Sequence, residues 1–579
     1  MKYLKNIPLM IIVILVLITG CSKDFLDQKP IATPTEVSFY KDSISVDETV
    51  TAAYAELCAR EVFDKDYYLV VGSIPSDDVD CGGQNLSDYQ DAQAFDQFSY
   101  NTSNATAPLE IYQYCYKGIR LANTVLEQLP QVKQNFPKSI TDQFISRRTG
   151  EMEFLRAWYH FTLVQVFGGV PIAKDVVQPT EFYTPRSTIK EVFNFIETDL
   201  KDAITKLPER NSLAATEIGR ATKGAAQSLL ARMLMYESSY AENYPGDDRF
   251  KGCLNRYQEA YTNAVAVINS GNYSLVGQNG GVFKSSWRFN MKPYDAYRWL
   301  FTTDADNSSE GIFEIQNVMD LLGYAIFRGN VMTVYQSCRW YTDSTGKQKD
   351  AGGWSFNSPT QYLVDAFNSQ DAREDPTKIH SDIGHGTDDP RFATTIGKVG
   401  DSLYIHNQLQ LMNLSNLPSK MIGRKFECGW NEFWINEGTS SGWGDGPFNV
   451  RLIRLAEVVL LAAEAAVKLG DQANALKYVN MIRTRARNSG ITGYPKDLTA
   501  VSFEDIVHER RLELTCEPHR FFDLVRWNLT GKYINGTAPD AGTLGTYVIS
   551  YDHKFDFWPL PLSEVQLSHG ALVQYPGWQ

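Results

Sequence analysis

One window near the C-terminus, AEVVLLAAEAAVKLGDQANALKYVNMIRTRARNS (Ala456 to Ser489), constrains the fold more than any other stretch of the chain. It spans 34 residues, with Gly470-Asp471 near its middle and the small residues Ala463 and Ala475 at its eighth and twentieth places. A helix from Ala456 to Leu469 would be apolar nearly all round, which demands burial on every side. A turn at Gly470-Asp471 then sends the chain back, and small residues at the two places let the antiparallel helices approach closely.

That spacing matches a tetratricopeptide hairpin. The earlier sequence repeats the theme less regularly. In PLEIYQYCYKGIRLANTVLEQLP (Pro108 to Pro130), Ile111, Cys115, Ile119, Ala122 and Leu126 recur at steps of three and four, one helical face. RRTGEMEFLRAWYHFTLVQVFGG (Arg147 to Gly169) does the same with Phe154, Trp158, Phe161 and Gln165, then stops at a Gly pair. Arg147 to Gly169 with Ile189 to Leu207, and Ala221 to Ser239 with Arg256 to Ser270, form further candidate hairpins whose halves are separated by long insertions. The expected class is mainly α: a tetratricopeptide-like helical hairpin scaffold carrying a large irregular, loop-rich insertion. The expected boundaries are 1–20 (export signal), 21–271 (helical hairpins), 272–448 (irregular region) and 449–579 (helical, containing the 456–489 hairpin).

The irregular region is where aromatic residues concentrate. Seven of the eleven Trp fall between Trp287 and Trp443, among Gly, Asn, Asp and Ser and without long helical periodicity. This predicts a loop-built surface. Flat aromatics with neighbouring hydrogen-bonding groups suit sugar rings, whose CH faces are apolar, because Tyr and Trp offer large area at small entropy cost. The candidate ligand-binding residues are Trp287, Tyr294, Tyr297, Trp299, Trp340 and Trp354, with Arg339 beside one of them. The polar loop GSIPSDDVDCGGQNLSDYQ (Gly72 to Gln90) adds Asp77 and Asp78 as hydroxyl acceptors.

Other chemistries find little support. A net charge of −13 with scattered Lys and Arg argues against nucleic acid, which needs a concentrated basic face. Gly168-Gly169 and Gly352-Gly353 lack the Lys-Ser/Thr of a phosphate loop, there is no HExxH, and DADNSSEG (Asp304 to Gly311) misses calcium-loop spacing. No metal or cofactor is expected. Beyond Cys21, seven Cys are widely spaced without a CxxC, so neither zinc nor a complete disulfide framework is indicated. In FEDIVHERRLELTCE, Arg510 falls on the apolar face of its helix, and a charge there is expected to be paired; Glu509 and Glu513 are not expected to be a catalytic pair. Glycosidase carboxylates meet in space rather than in sequence order, so a surface hydrolase stays as an alternative.

The N-terminus supplies Lys2 and Lys5, about a dozen apolar residues from Ile7 to Ile18, and then Ile18-Thr19-Gly20-Cys21 before Lys23 and Asp24. The run is too short to span a bilayer, which takes about 20 residues. It looks like a lipoprotein signal ending in a lipobox, in which Cys21 becomes the acylated N-terminus, and the roughly three acyl chains of such an anchor exceed the two signals that stable attachment takes.

Together CSKDFLDQKP, IRLANTVLEQLP, EFLRAWYHFTLVQVFGGVPI, GRATKGAAQSLLARMLMY, VINSGNYSL, RLIRLAEVVLLAAEAA, IVHERRLELTCEPHRFFDLVRW and FWPLPLSEVQLSHGALVQYPGW resemble, in family order, the SusD/RagB group of outer-membrane nutrient-binding lipoproteins. The middle third lacks such matches. The resemblance implies a lipid-anchored protein facing the cell exterior. It would bind oligo- or polysaccharides without catalysis and hand them to a partner TonB-dependent (SusC-like) transporter barrel; the early loop would contribute to the ligand site. The alternative within the family is a peptide or other nutrient receptor.

Overall fold

The computed structural model describes residues 39–578 apart from 60, 86, 103–105, 178–182, 282, 284–295, 319–328, 376, 379–385, 406–407, 418–419, 427–445, 447, 538–547 and 576. Cys21 and the rest of the export signal lie outside the described residues.

The scaffold is built from helices that pack against their sequence neighbours. They are α1 (Ser43–Ala55), α2 (Val62–Val71, wound at the wider π pitch), α3 (Thr106–Asn135), α4 (Asp142–Phe167), α5 (Ile189–Lys206), α6 (Lys223–Asn243) and α7 (Tyr257–Ile268). Four more follow the irregular region: α8 (Leu455–Lys468), α9 (Gln472–Asn488), α10 (Phe503–Leu514) and α11 (Arg520–Arg526). Helix α4 lies between α3 and α5, α6 packs on α7, and α8 packs on α7 and α9.

Local chemistry sets the ends. Thr141, Thr188, Thr222, Asp471 and Ser502 each accept a hydrogen bond from a first-turn backbone N–H, and Thr188/Glu191 and Ser502/Asp505 close full capping boxes. Helix α4 stops at Gly168, whose φ of 68° a side-chain-bearing residue rarely adopts. The expected all-round burial is observed: every residue of α8 from Leu455 to Ala466 is buried. Gly118 of α3 meets the Tyr159 ring of α4, where a Cβ would stand 2.3 Å from the ring, so that hairpin closes only with glycine there.

Between α7 and α8 the chain forms short antiparallel strands. Strand β2 (Gly311–Ile315) pairs with β10 (Val450–Arg454), drawing together the two ends of the intervening segment. Strand β1 (Val79–Gly82), from the early loop, pairs with β5 (Phe356–Pro359). A four-stranded sheet has the order β4 (Gln348–Asp350), β3 (Trp340–Thr342), β8 (Gln408–Met412), β7 (Ser402–Ile405), and β6 (Ile396–Lys398) pairs with β9 (Met421–Gly423). One large apolar core runs through the helices, and small satellite clusters lie under the strands, one of them around Cys338, Met412, Leu414 and Ile422.

The C-terminal motif HERRLELTCEPHRFFDLVRW forms a buried ionic hub. Arg510 pairs with Asp523 at 2.8 Å, as expected of a charge on an apolar face. Arg511 reaches Asp78, Asp371 and Glu374, Arg520 reaches Asp77, and Arg454 of β10 reaches Glu513 and Glu517. Early loop, irregular region and C-terminal helices are thereby tied at one centre.

Candidate functional site

Strand β1 ends at Gly82-Gly83, both with positive φ, and the Gly83 N–H donates to the Ser355 carbonyl at 2.9 Å. A Cβ at Gly82 would lie 2.4 Å from that same carbonyl, so the turn hugs the β5 side closely. The helix Gln90–Asp96 clamps the turn from behind: Cys81 N–H donates to Asp96 Oδ2 at 3.1 Å, and Gln93 Nε2 donates to the Gly82 carbonyl at 3.1 Å. The loop 84–89 therefore leaves a rigid base, with Gln84, Asn85 and Ser87 exposed and Asp88 and Tyr89 half-buried.

Two parts of the irregular region meet this loop. Arg339, just before β3, donates to Asp88 Oδ2 at 2.5 Å, and its backbone N–H donates to Ser355 Oγ at 2.9 Å. The guanidinium lies 5.8 Å from the Trp340 ring centre. Tyr89 stands edge-on to Tyr335 (5.7 Å) and Phe356 (5.2 Å), and Tyr335 in turn to Trp354 (4.7 Å). The Trp354 backbone N–H donates to the Val334 carbonyl at 2.7 Å, which ties the segment before β5 to the helix Met332–Gln336. Lys65 of α2 sits 6.0 Å from the Tyr89 ring centre and pairs with Glu61 and Asp66 at 2.8 and 3.2 Å. Burial pushes the Asp64 carboxyl up to about 6, while hydrogen bonds from Val331 and its own neighbour pull the other way.

The result is a half-buried aromatic wall, Tyr89 and Trp354 joined through the ring of Tyr335 with Trp340 beside Arg339, edged by a charge-paired guanidinium and carboxylate; Tyr341, the next residue of β3, packs instead on the cluster around Cys338 and Met412. Aromatic faces take apolar ring surfaces, and a paired Arg and Asp offer a donor fork beside an acceptor, the combination that adjacent hydroxyls require.

The site gathers Arg339, Trp340 and Trp354 from the sequence candidates, and three others, Asp77, Asp78 and Tyr297, need correction. Asp77 and Asp78 are 4% and 1% exposed and belong to the ionic hub, so they face arginines instead of solvent. Burial opposes ionisation of Asp77, but Arg520, Arg511 and Arg373 together hold its carboxyl well below the usual carboxylate range. Tyr297 is fully buried and donates to the Glu513 carbonyl at 2.7 Å, which makes it a core residue. Trp299 is half-buried, with Phe283 as its ring neighbour at 5.2 Å. Trp287 and Tyr294 lie outside the described residues. Asp88, Tyr89, Tyr335 and Lys65 were missed by sequence reasoning. Asp88 and Tyr89 stood in the quoted loop, and only the downstream Arg339 and Phe356 distinguish them from its other polar residues.

Glu509 and Glu513 have no catalytic freedom. Glu509 is held by Arg391 and Arg483 at 2.6 and 2.8 Å, and Glu513 by Arg454 at 2.6 Å and by Arg485. Among the described residues no group of His, Cys, Asp and Glu is arranged to hold a metal.

A helical hairpin scaffold with strands folded back onto its early loop defines a class, and comparison with known proteins gives that class its name. Residues 309–578 match the SusD family model, and residues 24–235 match a model described as starch-binding associating with outer membrane. The chain belongs to the SusD/RagB family. A SusD-like protein of Formosa agariphila is 23% identical over 99% of this chain and 100% of its own length. The starch-binding protein SusD of Bacteroides thetaiotaomicron is 23% identical over 74% of this chain and 72% of its own. Among solved structures, a laminarin binding SusD-like protein superposes with a TM-score of 0.68 at 25% identity, covering 93% of this chain and all of the other.

Proposed function

We propose that this protein is a non-catalytic cell-surface glycan-binding lipoprotein that captures oligo- or polysaccharides and delivers them to a partner TonB-dependent outer-membrane transporter. The observation that carries the reading is the wall of Tyr89, Trp340 and Trp354 edged by the Arg339–Asp88 pair, held on a rigid strand base. The named activities of relatives, starch binding and laminarin binding, agree with that chemistry. Non-catalysis is favoured because Glu509 and Glu513, one helical turn apart, are each locked between arginines. In this reading the protein is held at the membrane through acylation of Cys21, at the end of the N-terminal apolar run.

The test is migration of the full chain in native gels containing laminarin, soluble starch, xylan or mannan, with each supernatant assayed for released reducing sugar. Retardation by at least one glycan without release is expected, and Trp340→Ala should abolish most of it. Sugar release would overturn the non-catalytic reading. Retardation that survives both Trp340→Ala and Arg339→Ala would place the binding surface elsewhere.

A further inference from the structure

A second groove, of about 980 Å³, is built from none of the residues of that wall. It lies along α3, where Tyr112, Tyr116, Arg120, Asn123 and Glu127 form one stripe at steps of three and four. One wall is the segment 171–177, latched to the helix at successive rungs. Tyr116 OH donates to the Pro171 carbonyl (2.7 Å), Asn123 Nδ2 to those of Ala173 (3.1 Å) and Asp175 (2.8 Å), and the Val176 N–H to Glu127 Oε1 (2.7 Å). The facing wall is the helix Leu562–Leu567 and the turn after it, tied back by Gln113 Nε2 donating to Glu564 Oε1 at 2.8 Å. The groove is thus pre-formed, and its volume is at the upper end of the roughly 300–1,000 Å³ of small-ligand sites.

Its interior carries unspent recognition chemistry. Tyr183 is 52% exposed and stands edge-on to His569 at 5.0 Å, leaving a ring face open. Gln128, only 8% exposed, lines the groove, and its amide has no hydrogen-bond partner among the described residues. The exposed guanidinium of Arg120 likewise has none. An apolar occupant would leave the Gln128 amide buried and unpaired, which is costly. An anionic one would face the carboxylates of Glu127, Asp175 and Glu564, and a cationic one Arg120. A neutral polyhydroxylated molecule satisfies all of them, with ring CH groups on Tyr183 and hydroxyls on Gln128 and Arg120.

We infer that the α3 groove is a second carbohydrate site, taking a neutral oligosaccharide segment and giving the protein two points of attachment to one glycan chain. The inference rests on the glycan-binding reading above and deepens it. Two sites on one body raise the apparent affinity for a long polymer over that for a short oligomer, since the second contact forms at a high effective concentration.

Titration calorimetry of the full chain with laminarihexaose and maltohexaose, alongside gel retardation by laminarin and starch, tests it. Two oligosaccharides per chain are expected for the probe that binds. Tyr183→Ala and the volume-conserving Gln128→Leu should each reduce that to one and weaken retardation by the matching polymer at least ~10-fold. Trp340→Ala should remove the other site and leave the groove's. Binding of one oligosaccharide per chain that is unchanged in both groove variants would overturn the inference and leave the first site standing. Absence of binding by the unsubstituted protein to both oligosaccharides and both polymers would overturn the two sites together for glucans.

Discussion

Asp77 and Arg339 show how similar-looking charges carry opposite roles. Asp77 is fully buried against Arg520, Arg511 and Arg373, whereas the Arg339–Asp88 pair is partly open, with side chains 22% and 27% exposed. Removing one partner of a buried pair strands the other charge, and about 3–5 kcal/mol is the usual loss. Asp77→Ala is therefore expected to lower unfolding stability by roughly that amount, and Arg339→Ala by less than about 1 kcal/mol while weakening glycan retardation. Urea unfolding of both variants checks this; equal losses would show that the Arg339 pair is a structural tie. Sequence alone pointed the wrong way at Asp77 and Asp78 because a run such as GSIPSDD has the composition of a solvated loop. Their partners Arg511 and Arg520 lie 433 and 443 positions downstream, beyond any local pattern. Arg510 was legible because its conflict is local: a charge on the apolar face of its own helix, answered by Asp523 thirteen positions on.

At the scale of elements, the scaffold was readable where helical period and caps coincide. Helices α8 and α9 follow from the apolar run, the Gly470-Asp471 turn and the small residues, and the packing of α4 on α5 and α6 on α7 matches the hairpins expected from sequence. The strands were not readable. Those of the irregular region are three to five residues long, too short to display an alternation, and β1 and β5 are defined only by each other. The close contact of α3 with α4 gives an element-level prediction. A methyl group at Gly118 would meet the Tyr159 ring, which is itself buried and donates to the Ala53 carbonyl of α1 at 2.7 Å, so the ring has nowhere to retreat. Gly118→Ala would stabilise an isolated helix through propensity, by about 1 kcal/mol, but here overpacking should dominate and destabilise by about 1–3 kcal/mol. Thermal unfolding checks the sign. A Gly118→Ala protein as stable as the original would mean that α3 and α4 are free to separate, and the groove along α3 would then be less rigid than its latches suggest.

The whole molecule balances two populations of buried carboxylates that respond to pH in opposite senses. In the first, burial opposes ionisation but nearby cations prevail: His508 and Arg511 hold Glu374 down to about 2, Arg391 and Arg483 hold Glu509 to about 2, and Arg454 and Lys425 hold Glu517 to about 2. A depressed carboxyl stabilises the fold above its unfolded value and loses that contribution as pH falls through its folded value, so this set fails between about pH 4 and pH 2. In the second set burial prevails, raising Asp64 to about 6 and Asp306 to about 7 despite the attraction of Lys65 and Arg451. A raised carboxyl binds its proton more tightly in the folded state, so its contribution is complete below the unfolded value and is lost as pH climbs through 6 to 7. The two limbs leave a stability maximum near about pH 5, with a decline toward pH 8 on the order of a few kcal/mol. Melting temperature recorded from pH 3 to pH 8 is expected to peak on the acid side of neutrality. Asp306→Asn, whose amide oxygen keeps the hydrogen bond that Asp306 accepts from the Asn449 N–H at 2.8 Å, should flatten the alkaline limb and leave the acid limb in place. A melting temperature constant from pH 5 to pH 8, or an Asp306→Asn profile that still falls as steeply, would show that Arg451, 3.7 Å away, holds Asp306 ionised in the fold.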